Sequence, residues 1–137
     1  MRAALFALVL VLIFPDIKAQ KGYTEYQKVN GLEISTKWGL AKDADGIKKD
    51  ALLLKVENTT KEAATLAFDV NLYYEGILRE SGRIEGECIP GLKSRVGKLN
   101  GIYFVPENFT SEQLKNSHFN FTLDQIEVEK IDSCETN

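Results

Sequence analysis

Few residue types in this chain could carry chemistry, and their spacing narrows what that chemistry would be. There is one histidine, His118, and there are two cysteines, Cys88 and Cys134. Nucleophilic catalysis through a histidine base needs a hydroxyl or thiol and an orienting carboxylate within reach. Ser117 adjoins His118, but adjacency along a strand does not bring two side chains together. The expectation for His118 is a solvated residue at the start of a strand. A zinc site needs about three protein ligands. His118 with Cys88 and Cys134 would supply them only if both cysteines were free thiols. Glu85 and Glu87 share a strand face by spacing, as the paired carboxylates of a glycosidase would. With 20 acidic residues in the chain, such pairs also arise by chance, and a solvated acidic edge is the simpler reading. The stretch from Gly91 to Leu99 resembles a phosphate-binding loop only faintly. Five residues rather than four separate its glycines, and Leu99 stands where a metal-holding hydroxyl is needed. It reads as a turn followed by a basic strand face. No catalytic, cofactor-binding or metal-binding residue is therefore assigned, and the expectation is a protein that is not an enzyme.

The residues before this chemistry say where it would operate. Met1-Arg2, the apolar run Ala3 to Phe14, the break at Pro15 and the small Ala19 have the order of a secretory signal peptide. Twelve apolar residues fall short of the roughly 20 that span a bilayer. The expected division is a signal peptide over 1–19 and one domain over 20–137. The protein is then secreted or periplasmic, with no stable membrane insertion after cleavage. The signal carries Arg2, Lys18 and Asp16, so the remainder is one unit more acidic than the −3 of the whole chain. That balance argues against nucleic acid as a partner. In an oxidising compartment an even cysteine count predicts a Cys88–Cys134 disulfide. The two do not form a C-x-x-C pair, so a redox role is not indicated.

The elements that position these residues read as strands. Turn dipeptides recur at short intervals, among them Asn30-Gly31, Asp45-Gly46, Glu75-Gly76 and Pro90-Gly91. Leu32, Ile34, Trp38 and Leu40 share one face. Leu66, Phe68, Val70, Leu72 and Tyr74 alternate without a break, opposed by Ala67, Asp69, Asn71 and Tyr73. Phe119, Phe121 and Leu123 alternate again, and Ile126 and Val128 continue in the opposite parity, which predicts a bulge near Asp124-Gln125. Leu52 to Leu54 read as a buried strand. Thr110 and Gln113 have the capping-box spacing, so a short helix is expected over 110–117. The strands expected are 23–29, 32–41, 50–58, 64–75, 77–89, 93–106 and 118–131 with its bend. The fold class is all-β, an antiparallel sandwich of seven or eight strands, with a closed barrel as the rival.

From Leu52 to Phe104 the order of motifs resembles the FxLYD-type immunoglobulin-like domains of exported bacterial proteins. A strand ends in Lys55-Val56-Glu57-Asn58-Thr59-Thr60, the next carries Asn71-Leu72-Tyr73-Tyr74-Glu75-Gly76, and Pro90-Gly91 precedes a further strand. Tyr74 stands where that family has Asp after Leu-Tyr. The resemblance implies an immunoglobulin-like sandwich and a non-catalytic module at or outside the cell envelope. It carries no set of active-site residues.

What remains is a surface. Tyr73 and Tyr103 each lie opposite the apolar series of their strands, and together on one sheet they would make a flat patch for a protein or glycan. The function expected is an exported binding module with an envelope or extracellular partner and no cofactor. The alternatives are a small secreted hydrolase using Asp/Glu residues and a structural subunit that assembles through an edge strand, with the first strand as the edge. Asn58-Thr59-Thr60, Asn108-Phe109-Thr110 and Asn120-Phe121-Thr122 match the N-glycosylation sequon, the first two at turns that suit modification.

Overall fold

The computed structural model describes residues 22–97 and 101–134. The segment 1–19, expected as a signal peptide, lies outside the described residues. Among the described residues the elements follow in the order β1 (Thr24–Val29), β2 (Leu32–Lys42), β3 (Lys48–Asn58), β4 (Ala63–Tyr74), β5 (Ile77–Ile89), β6 (Ser94–Val96), β7 (Tyr103–Phe104), α1 (Ser111–Leu114) and β8 (Phe119–Ile131). All pairings are antiparallel. One sheet has five strands, ordered β1-β2-β3-β6 with β7 also on β3, and the other has three, ordered β5-β4-β8.

Turn chemistry sets the registers. Asn30 (φ 45°) and Gly31 (φ 85°) form the two-residue turn that places Val29 opposite Leu32. Glu75 (φ 53°) and Gly76 (φ 77°) do the same between β4 and β5, placing Tyr74 opposite Ile77. The expected bulge in β8 is present: Gln125 has φ 50°, and the pairing with β4 shifts between Ala67 and Asp69. The segment expected as one strand over 93–106 is instead two short strands that pair with opposite halves of β3. Gly97 (φ 39°) turns the chain out of β6 between them.

Leu32, Ile34, Leu52, Leu54, Val56, Leu66, Phe68, Val70, Leu72, Ile89, Ile102 and Leu123 fill the space between the sheets. Each such aliphatic side chain contributes roughly 1.5–3 kcal/mol on burial. The three successive leucines are all buried because β3 is central and covered on both sides. Leu52 and Leu54 face the other sheet, while Leu53 joins Ala41 and Ala51 under Tyr23, Tyr103 and Val105. Consecutive strands β3 and β4 lie in different sheets, and each takes a later strand as neighbour: β3 takes β6 and β7, and β4 takes β8. Strands B with E and C with F are crossed in this way in immunoglobulin-like sandwiches.

Polar staples close the two open sides. On one side the Tyr26 hydroxyl reaches from β1 to β8, accepting from the Leu123 amide at 2.8 Å. On the other, the Arg95 guanidinium of β6 meets the Glu87 carboxylate of β5 at 2.6 Å. Further along that side the Glu80 carboxylate accepts the backbone amides of Glu107 (3.0 Å) and Asn108 (2.8 Å). The Phe104 ring lies over Gly82, where an added Cβ would stand 2.4 Å from it. Cys88 and Cys134 are disulfide-bonded, with 5.8 Å between their Cα atoms. Their bond ties the chain beyond β8 to β5, across the intervening β4.

Candidate functional site

At one end of the sandwich the β4–β5 turn faces the connection from β7 to β8. The connection is held from three directions. Thr110 Oγ1 accepts from the Gln113 amide (3.2 Å), and Gln113 Oε1 accepts from the Thr110 amide (2.9 Å), which completes the capping box on α1. The Ser111 hydroxyl donates to the Asp50 carboxylate of β3. The Phe109 ring meets Phe119 edge-on at 5.4 Å, and Phe119 in turn meets Trp38 at 5.4 Å. Across from this the pairing of β5 with β4 slips between Leu72 and Tyr73, whose partners are Glu80 and Leu78. Arg79 is the extra residue. A bulge of this kind re-aims the side chain it carries.

The result is a cleft of about 440 Å³ lined by Tyr74, Glu75, Arg79, Asn108, Phe109 and Gln113. An adjoining hollow of about 480 Å³ shares Arg79 and Asn108. Sizes of this order suit small ligands or a partner's side chains. Arg79 differs from the other two described arginines. Arg83 bridges Asp69 (3.0 Å), Glu127 (3.2 Å) and Glu85 (3.5 Å), and Arg95 is paired with Glu87. Arg79 makes no ion pair among the described residues. An uncommitted guanidinium beside the Tyr74 and Phe109 rings can receive a carboxylate or phosphate together with an apolar group.

The tyrosines expected to share a surface do not do so. Tyr73 sits on the outer face of the three-stranded sheet, between Leu78 and Asn120. Tyr103 belongs to the five-stranded sheet, beside Leu53 on that sheet's outer face. Around Tyr73 the outer face is a hydrogen-bonded polar row. Asp124 accepts from the Thr122 hydroxyl and, at 2.7 Å, from Asn71 Nδ2. Those two bonds, Thr122 first, hold the Asp124 carboxyl below the usual aspartate range.

Glu85 and Glu87 do not share a face. Gly86 (φ 75°) lies in a bulge where the register shifts, so Glu85 turns out to Arg83 while Glu87, opposite Leu66, turns inward to Arg95. His118 is exposed just before β8, its ring 6.2 Å from that of Tyr74. The turn at Gly91 runs into the strand β6; Leu99 lies outside the described residues. Among the described residues no group of His, Cys, Asp and Glu has the geometry to hold a metal ion. Of the three sequons, Asn108 and Asn120 are exposed, whereas Asn58, expected at an open turn, is buried.

Sequence reasoning passed over Arg79, since residues 77–89 read as one regular strand. The nearest mark in the sequence is the Glu75-Gly76 turn three residues earlier, which does not by itself announce a bulge. No family model, curated protein or solved structure matches this chain.

Proposed function

We propose that this protein is an exported, non-enzymatic β-sandwich module, similar to FxLYD-type immunoglobulin-like domains, that binds an envelope or extracellular partner through its loop end. The observation that carries this reading is the cleft that Arg79, which makes no ion pair among the described residues, lines together with Tyr74 and Phe109. Its walls are fixed before any ligand arrives, by the capping box, by Glu80 and by the Phe109–Phe119–Trp38 stack. Preorganisation of that kind reduces the entropy lost on binding. The carboxylates weighed for hydrolysis, Glu85 and Glu87, are bound to different arginines, which favours a binding role over glycosidase chemistry.

The test is affinity capture with the native exported protein, followed by partner identification, in parallel with Arg79→Ala and Tyr73→Ala. Loss of the captured partner with Arg79→Ala but not with Tyr73→Ala supports the loop-end reading. A partner lost with Tyr73→Ala alone moves the surface to the outer face of the three-stranded sheet. A partner held equally by all three proteins overturns the assignment.

A further inference from the structure

Three sequons occur in a chain whose first residues have the order of an export signal, and the structure separates them. Asn108 lies on the open connection before α1, and Asn120 lies on the outer face of β8; both are exposed. Asn58 is 2 % exposed at the end of β3, where the chain crosses to the other sheet. Its carboxamide is saturated. Nδ2 donates both hydrogens, to the carbonyl of Glu62 (2.8 Å) and to that of Ile89 (3.2 Å). Oδ1 accepts from the Thr60 amide (3.0 Å) and the Thr60 hydroxyl (2.8 Å). One side chain thereby shapes the turn between the sheets and holds the end of β5 against it.

We infer that folding and N-glycosylation of this chain are mutually exclusive at Asn58, and that the chain is suited to an export route that does not glycosylate asparagine. In N-glycosylation a carboxamide N–H is replaced by a bond from nitrogen to the first sugar carbon, and the lipid diphosphate that carried the glycan departs with the proton transferred to the enzyme's base. At Asn58 this removes one of two buried donors and strands a backbone carbonyl, a loss comparable to breaking a buried hydrogen bond. It also places a bulky, solvated group where Glu62 and Ile89 close over the nitrogen. Asn-Thr-Thr is a sequon that glycosylating enzymes meet on the unfolded chain, before burial can protect it. Neither exposed sequon raises this conflict.

The experiment uses the full chain with Asn108→Gln and Asn120→Gln, so that Asn58 is the one remaining acceptor. It is produced in a bacterial periplasm and in the secretory route of an N-glycosylating cell. The periplasmic product is expected to be unmodified, disulfide-bonded and cooperatively folded. In the glycosylating cell, molecules carrying sugar at Asn58 are expected to be retained with Cys88 and Cys134 unpaired. Blocking synthesis of the glycan donor then raises the yield of folded, secreted protein several-fold. A secreted, cooperatively folding product glycosylated at Asn58 overturns the inference. So does an equal yield of folded protein with and without the block. The unsubstituted chain, with Asn58 occupancy read by peptide mass spectrometry on secreted material, provides the same discrimination without the two glutamine substitutions.

Discussion

Replacing Tyr26 by Phe isolates the one hydroxyl that links β1 to β8. The ring of Tyr26 stacks on Phe121 at 6.0 Å, and a phenylalanine keeps that contact. What goes is the oxygen that accepts from the Leu123 amide at 2.8 Å. Leu123 is 4 % exposed, so water does not readily replace the lost acceptor. A buried donor left without a partner costs about 1–3 kcal/mol. For a domain of this size, each kcal/mol moves the melting temperature by about 4 °C. Tyr26→Phe is therefore expected to lower Tm by about 4–12 °C in a thermal melt followed by circular dichroism. Hydrogen exchange adds a local reading: the Leu123 amide loses protection more than the amides of Leu66 or Val70 in the centre of β4. A change in Tm of less than about 1 °C, with Leu123 exchange unaltered, would refute the claim that this bond seals β1 to β8.

Three further outcomes are expected. Gly82→Ala places a Cβ 2.4 Å from the Phe104 ring, so stability should fall by about 1–3 kcal/mol in urea titration, and Phe104→Leu in the same chain should restore part of it. Reduction should raise the mass of the native protein by two hydrogens, and replacing Cys88 and Cys134 by Ser should cost about 4 kcal/mol, because the bond spans 46 positions of chain; no mass change would remove the bond. Asp124 titrates below the usual aspartate range when folded, so its stabilising effect is present above about pH 4 and is lost as pH falls through the lowered folded value. Asp124→Asn should consequently destabilise at pH 7, with the gap to the unsubstituted protein narrowing in acid; a pH-independent gap refutes this.

Local chemistry was legible in the sequence wherever one short segment determines its own conformation. Asn30-Gly31 accepts two positive φ values, and the hairpin follows. The unbroken alternation from Leu66 to Tyr74 made β4 plain, the parity change after Leu123 located the bulge at Gln125, and Thr110 with Gln113 announced α1. Pairing between distant segments was not legible. Nothing between residues 93 and 106 shows that β6 and β7 address opposite halves of β3. The same blindness put Tyr73 and Tyr103 together, since sheet membership is decided by partners dozens of residues away. The bulges that aim Arg79 into the cleft and part Glu85 from Glu87 arise from mismatched strand lengths across a pair. Asn58 looked like an ordinary turn residue because its partners Glu62 and Ile89 converge on it only when the two sheets meet.

The position of β8 has a consequence for the order of assembly. Without it the smaller sheet is a lone β4–β5 hairpin, and a two-stranded hairpin is marginal in water. β8 also brings Phe119, Phe121, Leu123, Ile126 and Val128 to the core, the backbone that Tyr26 seals, and the approach to Cys134. These contacts join residues 45 to 97 positions apart, and non-local contacts of this kind form slowly. A chain emerging from its N-terminal side therefore has no closed core to fall into until residues 119–134 are delivered. Late closure of this kind would suit the export proposed above, because a chain that cannot close early stays open while it crosses a membrane.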